Sequence, residues 1–261
     1  MAQHLTIRLM TYNVLDGGVG REAAINEVIR AATPEVVVVQ EVTQAVVSES
    51  IAERLGMKHC LAQGREQHVK VGLLSHLPIL ASHSHRLSRV GAQCLEATIQ
   101  LTDSQVLTLY GLHLMPFYPW FFEWWRVRQI RNLLLHIHRA APGPHLLAGD
   151  FNAIAPGDTP LLDAAPVFVR AQLWFQMGFI LRHALKLLLD AGYVDCFRAL
   201  HPHENGLTLP SPNPTVRLDY IFADQLLANY LRKCRVLAQP ESVKIASDHL
   251  PVLAEFVWVT K

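Results

Sequence analysis

Apolar residues fall along the chain in two patterns. Val36 to Val39 form an unbroken β-branched run, the mark of a strand covered on both faces. Elsewhere apolar and polar positions mix: Leu218, Tyr220 and Phe222 interleave with Asp219 and Ile221, as on a strand over a mixed core. Strand-like segments are Leu5–Asn13, Glu35–Glu41, Val71–Leu74, Gln93–Leu101, Val106–Leu114, His145–Gly149, Arg217–Ala223 and Pro251–Val259. Helical stretches lie at Arg21–Ala32, Gln44–Leu55 and Glu123–Arg139. Early βαβ spacing followed by consecutive strands predicts an α/β fold with sheet-on-sheet packing and outer helices. No repeat, low-complexity tract or Gly/Ser linker divides the sequence, so residues 1–261 read as one domain. The Pro-rich piece Leu209–Pro214 reads as an ordered loop.

Two stretches break this pattern. Residues 116–125 (PFYPWFFEWW) hold seven aromatic side chains in ten positions. Residues 164–189 carry no acidic group and place Trp174, Phe175 and Phe179 beside Arg170, Arg182 and Lys186. Both read as apolar insertions. They form either a folded plug or an exposed surface that lies on a membrane, where aromatic rings and cationic side chains meet headgroups.

Composition narrows the classes. The chain has 261 residues, 51% hydrophobic and 17% charged, against about 25% charged in soluble domains generally. Disorder needs the opposite bias and is excluded for most of the chain. Lys and Arg total 23 against 22 Asp and Glu, which argues against an overall polycationic nucleic-acid binder. No apolar run reaches the roughly eighteen residues of a spanning helix, and Met1–Leu9 lacks a signal-peptide apolar block. Cys60, Cys94, Cys196 and Cys234 are too widely spaced for a CxxC pair or a disulfide framework. Free, buried thiols and a cytoplasmic location, peripheral at a membrane if the aromatic segment is exposed, are the expectation.

Polar side chains gather where apolar runs stop: Asn13 and Glu41 after the first two strands, His113 after another, Asp150 and Asn152 after a fourth, Asp219 opening one, and Asp248 and His249 just before the last. Each has an ordinary reading, since a lone Glu is usually solvated and Asp-x-Asn usually makes an Asx-turn. In α/β folds, however, ligands collect outside strand ends. Clustered carboxylates such as Glu41, Asp150 and Asp248 would repel one another without a hard cation, and oxygen donors without thiolate favour Mg2+ or Mn2+ over Zn2+. Asn13 and Asn152 can orient a phosphate or a water without adding charge. A histidine kept protonated by a carboxylate, Asp219 being the candidate partner of His249, can donate to a phosphoryl oxygen. That inventory suits metal-assisted phosphoester hydrolysis.

TYNVLDGG (11–18), VVVVQEV (36–42), VGLLSHLPI (71–79), YGLHL (110–114), LLAGDFNA (146–153), RLDYIFA (217–223) and SDHLPV (247–252) together resemble, in order and over nearly the whole chain, the endonuclease/exonuclease/phosphatase (DNase I-like) superfamily. The resemblance implies a four-layer α/β/β/α sandwich, two packed mixed sheets flanked by helices, with the site at one end. It implies Glu41 as principal Mg2+ ligand with Asn13 and Asp248 close to the metal or phosphate. Asp150 would orient and deprotonate the attacking water, and Asn152 would hold the water or phosphate. His249, paired with Asp219, and His113 would stabilise phosphoryl oxygens. Arg126 and Gln129 match a further R-x-x-Q spacing, equally readable as a packing pair.

The substrate is less legible. Abasic-site endonucleases of the superfamily place aromatic residues near the counterpart of Thr208–Asp219, where this chain has TLPSPNPTVRLD, and its Lys and Arg form only loose groups. A DNA endonuclease or exonuclease is therefore the alternative. The aromatic segment beside His113 favours a phospholipid headgroup or another small phosphoester, most simply a phosphodiester. A catalytically inactive membrane- or protein-binding scaffold would have lost such groups, whereas every matched position keeps a chemically competent side chain.

Overall fold

The computed structural model describes residues 3–63, 70–88, 93–116, 120–140, 143–164, 170 and 180–260. Two six-stranded mixed sheets pack face to face, with helices on their outer sides. The first sheet contains β1 (Gln3–Asn13), β2 (Val36–Val42), β3 (Lys58–Leu61), β4 (Lys70–Ser75), β11 (Leu231–Val236) and β12 (Val252–Thr260), in the order β11-β12-β1-β2-β4-β3. The second contains β5 (Ile79–Arg86), β6 (Gln93–Gln100), β7 (Val106–His113), β8 (His145–Asp150), β9 (Val194–Asp195) and β10 (Asp219–Ala223), in the order β5-β6-β7-β8-β10-β9. α1 (Glu22–Ala32) and α2 (Ala45–Leu55) cover the first sheet. α3 (Trp120–Arg139) and α4 (His183–Asp190) cover the second. Short helices α5 (Cys196–Leu200), α6 (Gln225–Ala228) and α7 (Val243–Ala246) fill the connections.

The unbroken valine run is explained by this layering. Val36 and Val38 face the second sheet, while Val37 and Val39 face α1 and α2, and all four are buried. Each such side chain contributes roughly 1.5–3 kcal/mol through burial. Between the sheets, Ile7, Leu9, Val38 and Val71 meet Leu95, Leu109, Leu146 and Ile221. On the far side, Tyr110, Leu112 and Leu147 pack against Ile130 and Leu133 of α3 and Leu185 and Leu188 of α4. The sandwich expected from the resemblance is the architecture found.

Each sheet has one parallel pair at its centre, β1 with β2 and β7 with β8; every other pairing is antiparallel. A parallel pair brings two strand C-termini side by side. In β1–β2 the register sets Asn13 beside Gln40, and in β7–β8 it sets His113 beside Asp150. β10 runs antiparallel to β8 with Asp219 opposite Asp150. The strand ends that carry polar groups in the sequence thus meet at one edge of both sheets.

Gly149 is indispensable to this register. A Cβ there would lie 1.9 Å from Leu112 O and 2.7 Å from Leu112 C, so only a hydrogen lets β7 and β8 approach just before His113 and Asp150.

The four cysteines are free, Cys94, Cys196 and Cys234 buried and Cys60 half-buried, as their spacing predicts. Of the aromatic segment, residues 117–119 lie outside the described residues, and 120–125 form the first turns of α3. Glu123 there is buried, accepting from Ala184 N at 2.8 Å and from Arg126 Nε at 3.0 Å, so the helix start is bonded to the start of α4. Phe121 and Trp124 remain 43% and 54% exposed. The described part of the segment is therefore partly packed and partly exposed. Trp174, Phe175 and Phe179 lie outside the described residues. No helix among the described residues is long and apolar enough to cross a membrane.

Candidate active site

Local backbone chemistry aims the polar groups. β2 loses register with β4 between Val39 and Val42, and within that irregularity Glu41 takes a left-handed conformation (φ 62°). Such a conformation costs a non-glycine residue on the order of 1–3 kcal/mol and re-aims its side chain out of the sheet. The Glu41 carboxylate is held at both oxygens, accepting from Asn13 Nδ2 at 2.9 Å and from Asp16 N at 2.9 Å. Burial alone would push its pKa up, but these two hydrogen bonds together with the nearby His113 and His249 outweigh it and hold the group below its ordinary value.

Asn13 is fully buried and joins the two halves of the site. Its Nδ2 also donates to Asp150 Oδ2 at 3.1 Å, while its Oδ1 accepts from Leu15 N at 3.0 Å. One amide therefore spans the first sheet's carboxylate and the second sheet's carboxylate. Asp150 is buried, and its Oδ1 accepts from Asn152 N at 2.8 Å. This is the Asx-turn that Asp-x-Asn favours, with Asn152 in the left-handed region (φ 47°) that asparagine tolerates. The turn and the site are one structure: it leaves Oδ2 of Asp150 facing His113 Nε2 at 3.7 Å and His249 Nε2 at 3.9 Å. Asn152 Nδ2 is bonded to Leu114 O at 3.1 Å, so the amide oxygen is the atom this side chain can offer to water.

His249 donates from Nδ1 to Asp219 Oδ2 at 2.8 Å, which presents Nε2 to Asp150. Burial would lower its pKa, but Asp219, Asp150 and Asp248 together push it up to about 10. The three carboxylates favour its cationic form. Burial drives Asp150 and Asp248 upward, reinforced by Asp219 in both and by Glu41 in the case of Asp248. The structure thus brings together Asn13, Glu41, His113, Asp150, Asn152, Asp219 and His249, with Asp248 near enough for Glu41 to act on its charge. Arg126 and Gln129, by contrast, brace the chain after β7: Arg126 donates to Met115 O at 3.1 Å and Gln129 accepts from Met115 N at 3.2 Å. Theirs is the packing reading.

Several supporting residues were not among the site candidates read from the sequence. Ser247 donates to Asn13 O at 2.6 Å and accepts from His249 N at 3.1 Å, stitching β1 to the last loop. Arg21 binds Ala246 O at 2.7 Å and also donates to Leu15 O. Arg217 is buried between Asp158 (2.8 and 2.9 Å) and Asp195 (3.1 Å to Oδ1 and a second, shorter bond to Oδ2), with its guanidinium 4.4 Å from the Tyr220 ring. This lock holds the strand that begins at Asp219. Ser247 and Arg217 had a cue, their places in SDHLPV and RLDYIFA; Asp158, in a loop, and Asp195, at the end of β9, lie in no recognisable pattern.

The model of the Endonuclease/Exonuclease/phosphatase family matches residues 10–249. The chain belongs to that family. A search of curated proteins found no match. Among solved structures, the chain is similar to an AP endonuclease from Archaeoglobus fulgidus, with TM-score 0.76, 19% identity, and coverage of 96% of this chain and 99% of that one. It is similar to a 3′ phosphatase from Neisseria bound to a product DNA hairpin (TM-score 0.71, 20% identity, 97% and 100% covered). A third likeness is to an endonuclease/exonuclease/phosphatase family protein from Bacteroides thetaiotaomicron (TM-score 0.71, 16% identity, 99% and 97% covered). At these identities the likenesses establish the fold.

Endonuclease/exonuclease/phosphatase family members are phosphoester hydrolases that use divalent metals, and the donors here suit such a cation. Asp150, Asp219 and His249 place one ligand atom each within 4.8 Å of the others. Among the described residues, Asp219 Oδ1 is buried without a hydrogen-bond partner. A divalent cation held by Glu41 and Asp248 would relieve the mutual repulsion by which Glu41 raises Asp248.

Proposed function

We propose that the chain hydrolyses a phosphodiester with Mg2+ or Mn2+, by in-line attack of water without a covalent intermediate, and that its substrate is a phospholipid headgroup. The observation that carries the chemistry is the convergence of His113 and His249 on Asp150 Oδ2, a basic oxygen flanked by two imidazoles. Glu41 and Asp248 would hold the cation, with Asn13 close by fixing Glu41 in place. Bound there, a divalent cation neutralises charge growing on phosphorus-bound oxygens.

Asp150 orients the attacking water and takes its proton, a task that contributes ~10²–10⁴-fold when the base is well positioned. Asn13 and the Asn152 N–H hold its carboxylate in one rotamer. Asn152 Oδ1 steers the water. His249, kept cationic by Asp219, and His113 donate to phosphoryl oxygens as charge accumulates.

The headgroup assignment is supported by Phe121 and Trp124, exposed on the helix that follows His113, and by Arg128, whose guanidinium lies 6.0 Å from the Trp124 ring. A Phe/Trp pair beside a cation suits an interface where rings enter the headgroup layer. DNA is the second reading, favoured by the similar AP endonuclease and DNA-bound 3′ phosphatase.

Hydrolysis of sphingomyelin vesicles, abasic duplex and a generic phosphodiester, each with Mg2+ and then with chelator, separates the readings. The expected result is chelator-sensitive turnover that Asp150→Asn reduces at least 100-fold. Vesicles should be preferred, and Phe121→Ala/Trp124→Ala should lose vesicle co-sedimentation while keeping turnover of the soluble diester. Near-normal turnover by Asp150→Asn defeats the chemistry, and preference for duplex defeats the headgroup assignment.

A further inference from the structure

A second cluster of ligand-type side chains lies outside the phosphoester site. In the β5–β6 pair, His85 is opposite Cys94 and His83 opposite Glu96, so His85 and Glu96 are diagonal neighbours on one face. That face packs under α3, since Cys94 shares its apolar cluster with Ile130 and Leu133. His136 follows Leu133 by three residues and so continues the row of α3 that faces the sheet. Between sheet and helix, two imidazoles and a carboxylate come together here.

Their geometry is convergent. His85 Nε2 lies 2.6 Å and His136 Nε2 2.7 Å from the same atom, Glu96 Oε2, and the two rings are 3.9 Å apart between centroids. All three ligand atoms fall within 4.8 Å of one another. The side chains are 26%, 33% and 18% exposed for His85, His136 and Glu96, which leaves one side open to solvent. Tyr110 stands edge-on to His136 with centroids 6.1 Å apart, limiting that ring's rotation. Glu96 is three residues along β6 from Gln93, the register partner of His113, so at ~3.3 Å per residue it sits about 10 Å along the strand from the phosphoester row.

We propose that His85, Glu96 and His136 form a second metal site, selective for a zinc-class divalent cation, which ties the β5–β6 pair to α3. Two imidazole nitrogens and one carboxylate oxygen, with a solvent-facing fourth position, form a donor set suited to zinc. Zinc bonds of about 2.0–2.2 Å need the ligand atoms to open by roughly 1 Å, a side-chain adjustment for Glu96. Imidazole donors favour zinc-class ions, whereas the oxygen-rich phosphoester site favours Mg2+, so one chain can hold both cations without exchange. The site does not depend on the phosphoester reading.

The test is a Zn2+ titration of the full chain in millimolar Mg2+ against a chromophoric zinc indicator. Wild type should bind one tight equivalent that Mg2+ does not displace. His85→Gln/His136→Gln should weaken it at least about 100-fold while leaving Mg2+-dependent phosphoester turnover unchanged. Glu41→Gln/Asp248→Asn should keep it. Zinc-edge X-ray absorption of the zinc-loaded wild type, which needs no variant to fold, should count two imidazole ligands. Absence of a Mg2+-resistant equivalent, retention of tight binding in the double-histidine variant, loss of it in Glu41→Gln/Asp248→Asn, or a coordination shell with fewer than two imidazoles would each overturn the proposal.

Discussion

Gly149→Ala isolates the dependence of chemistry on strand spacing. The added methyl would meet the Leu112 carbonyl oxygen at 1.9 Å and its carbon at 2.7 Å, both backbone atoms that no rotamer change can move. Reaching ordinary contact requires roughly 1.5 Å of extra separation between β7 and β8. Overpacking of this kind costs about 1–3 kcal/mol. A domain with ~5–15 kcal/mol of stability survives that loss almost wholly folded. The displacement falls, however, on the residue before Asp150 and the one before His113, whose Oδ2 and Nε2 are 3.7 Å apart. A shift of about 1 Å at reacting groups reduces rate on the order of 10²-fold. The two readouts should therefore separate: urea unfolding shifts modestly, while kcat/KM for a soluble phosphodiester in Mg2+ drops about a hundredfold. An unchanged kcat/KM in a variant with the predicted loss of stability would refute the claim that β7–β8 spacing sets the catalytic geometry.

Further expectations follow from the supporting network. Arg217→Met leaves Asp195 buried without its cation and Asp158 with Arg198 alone, and should cost about 3–5 kcal/mol in urea unfolding; adding Asp158→Asn and Asp195→Asn should recover part of it, and no recovery would contradict the pairing. Ser247→Ala strands Asn13 O and His249 N and should cost about 1–3 kcal/mol, read by thermal unfolding. The His145–Asp224 pair (3.1 Å) makes stability pH-dependent. Burial would lower the His145 pKa, but Asp224 raises it above the ordinary value, while hydrogen bonds from His145 and Leu227 overcome burial to lower Asp224. The histidine's contribution is complete below about pH 6.5 and disappears as pH rises through its folded pKa; the aspartate's is complete above about pH 3.9 and disappears as pH falls through its own. The destabilisation by His145→Gln should therefore shrink as pH rises above about 6.5, and urea midpoints showing it constant or growing would count against the pair.

The sandwich and most site positions were legible because strand ends and motifs coincide. The run at Val36–Val39 could be buried on both faces only by a sheet on one side and helices on the other. Four strands escaped: β3, β5, β9 and β11. β5 reads Ile-Leu-Ala-Ser-His-Ser-His-Arg because it is an edge strand with mostly exposed side chains, and β11, the opposite sheet's edge, exposes Arg232, Lys233 and Arg235 across a register shift that breaks its alternation. β9 has only two residues, too few for any periodicity. In the site, Asn13 was expected beside the metal or phosphate, and the structure adds its span between Glu41 and Asp150, a contact across 137 residues of sequence that no local pattern encodes. Asp158 and Asp195 were invisible for the same reason, since only the folded chain brings them to Arg217.

The site is divided between the sheets: Asn13 and Glu41 come from the first, His113, Asp150 and Asp219 from the second. Neither sheet alone owns a competent set of groups. Sliding one against the other by a single residue would separate Asn13 from Asp150 while leaving each sheet's own hydrogen bonds intact. Under the proposed chemistry, turnover would therefore gauge inter-sheet alignment. As the protein is heated, loss of activity should coincide with exposure of the valine and leucine interior, with no partially open yet active form between them.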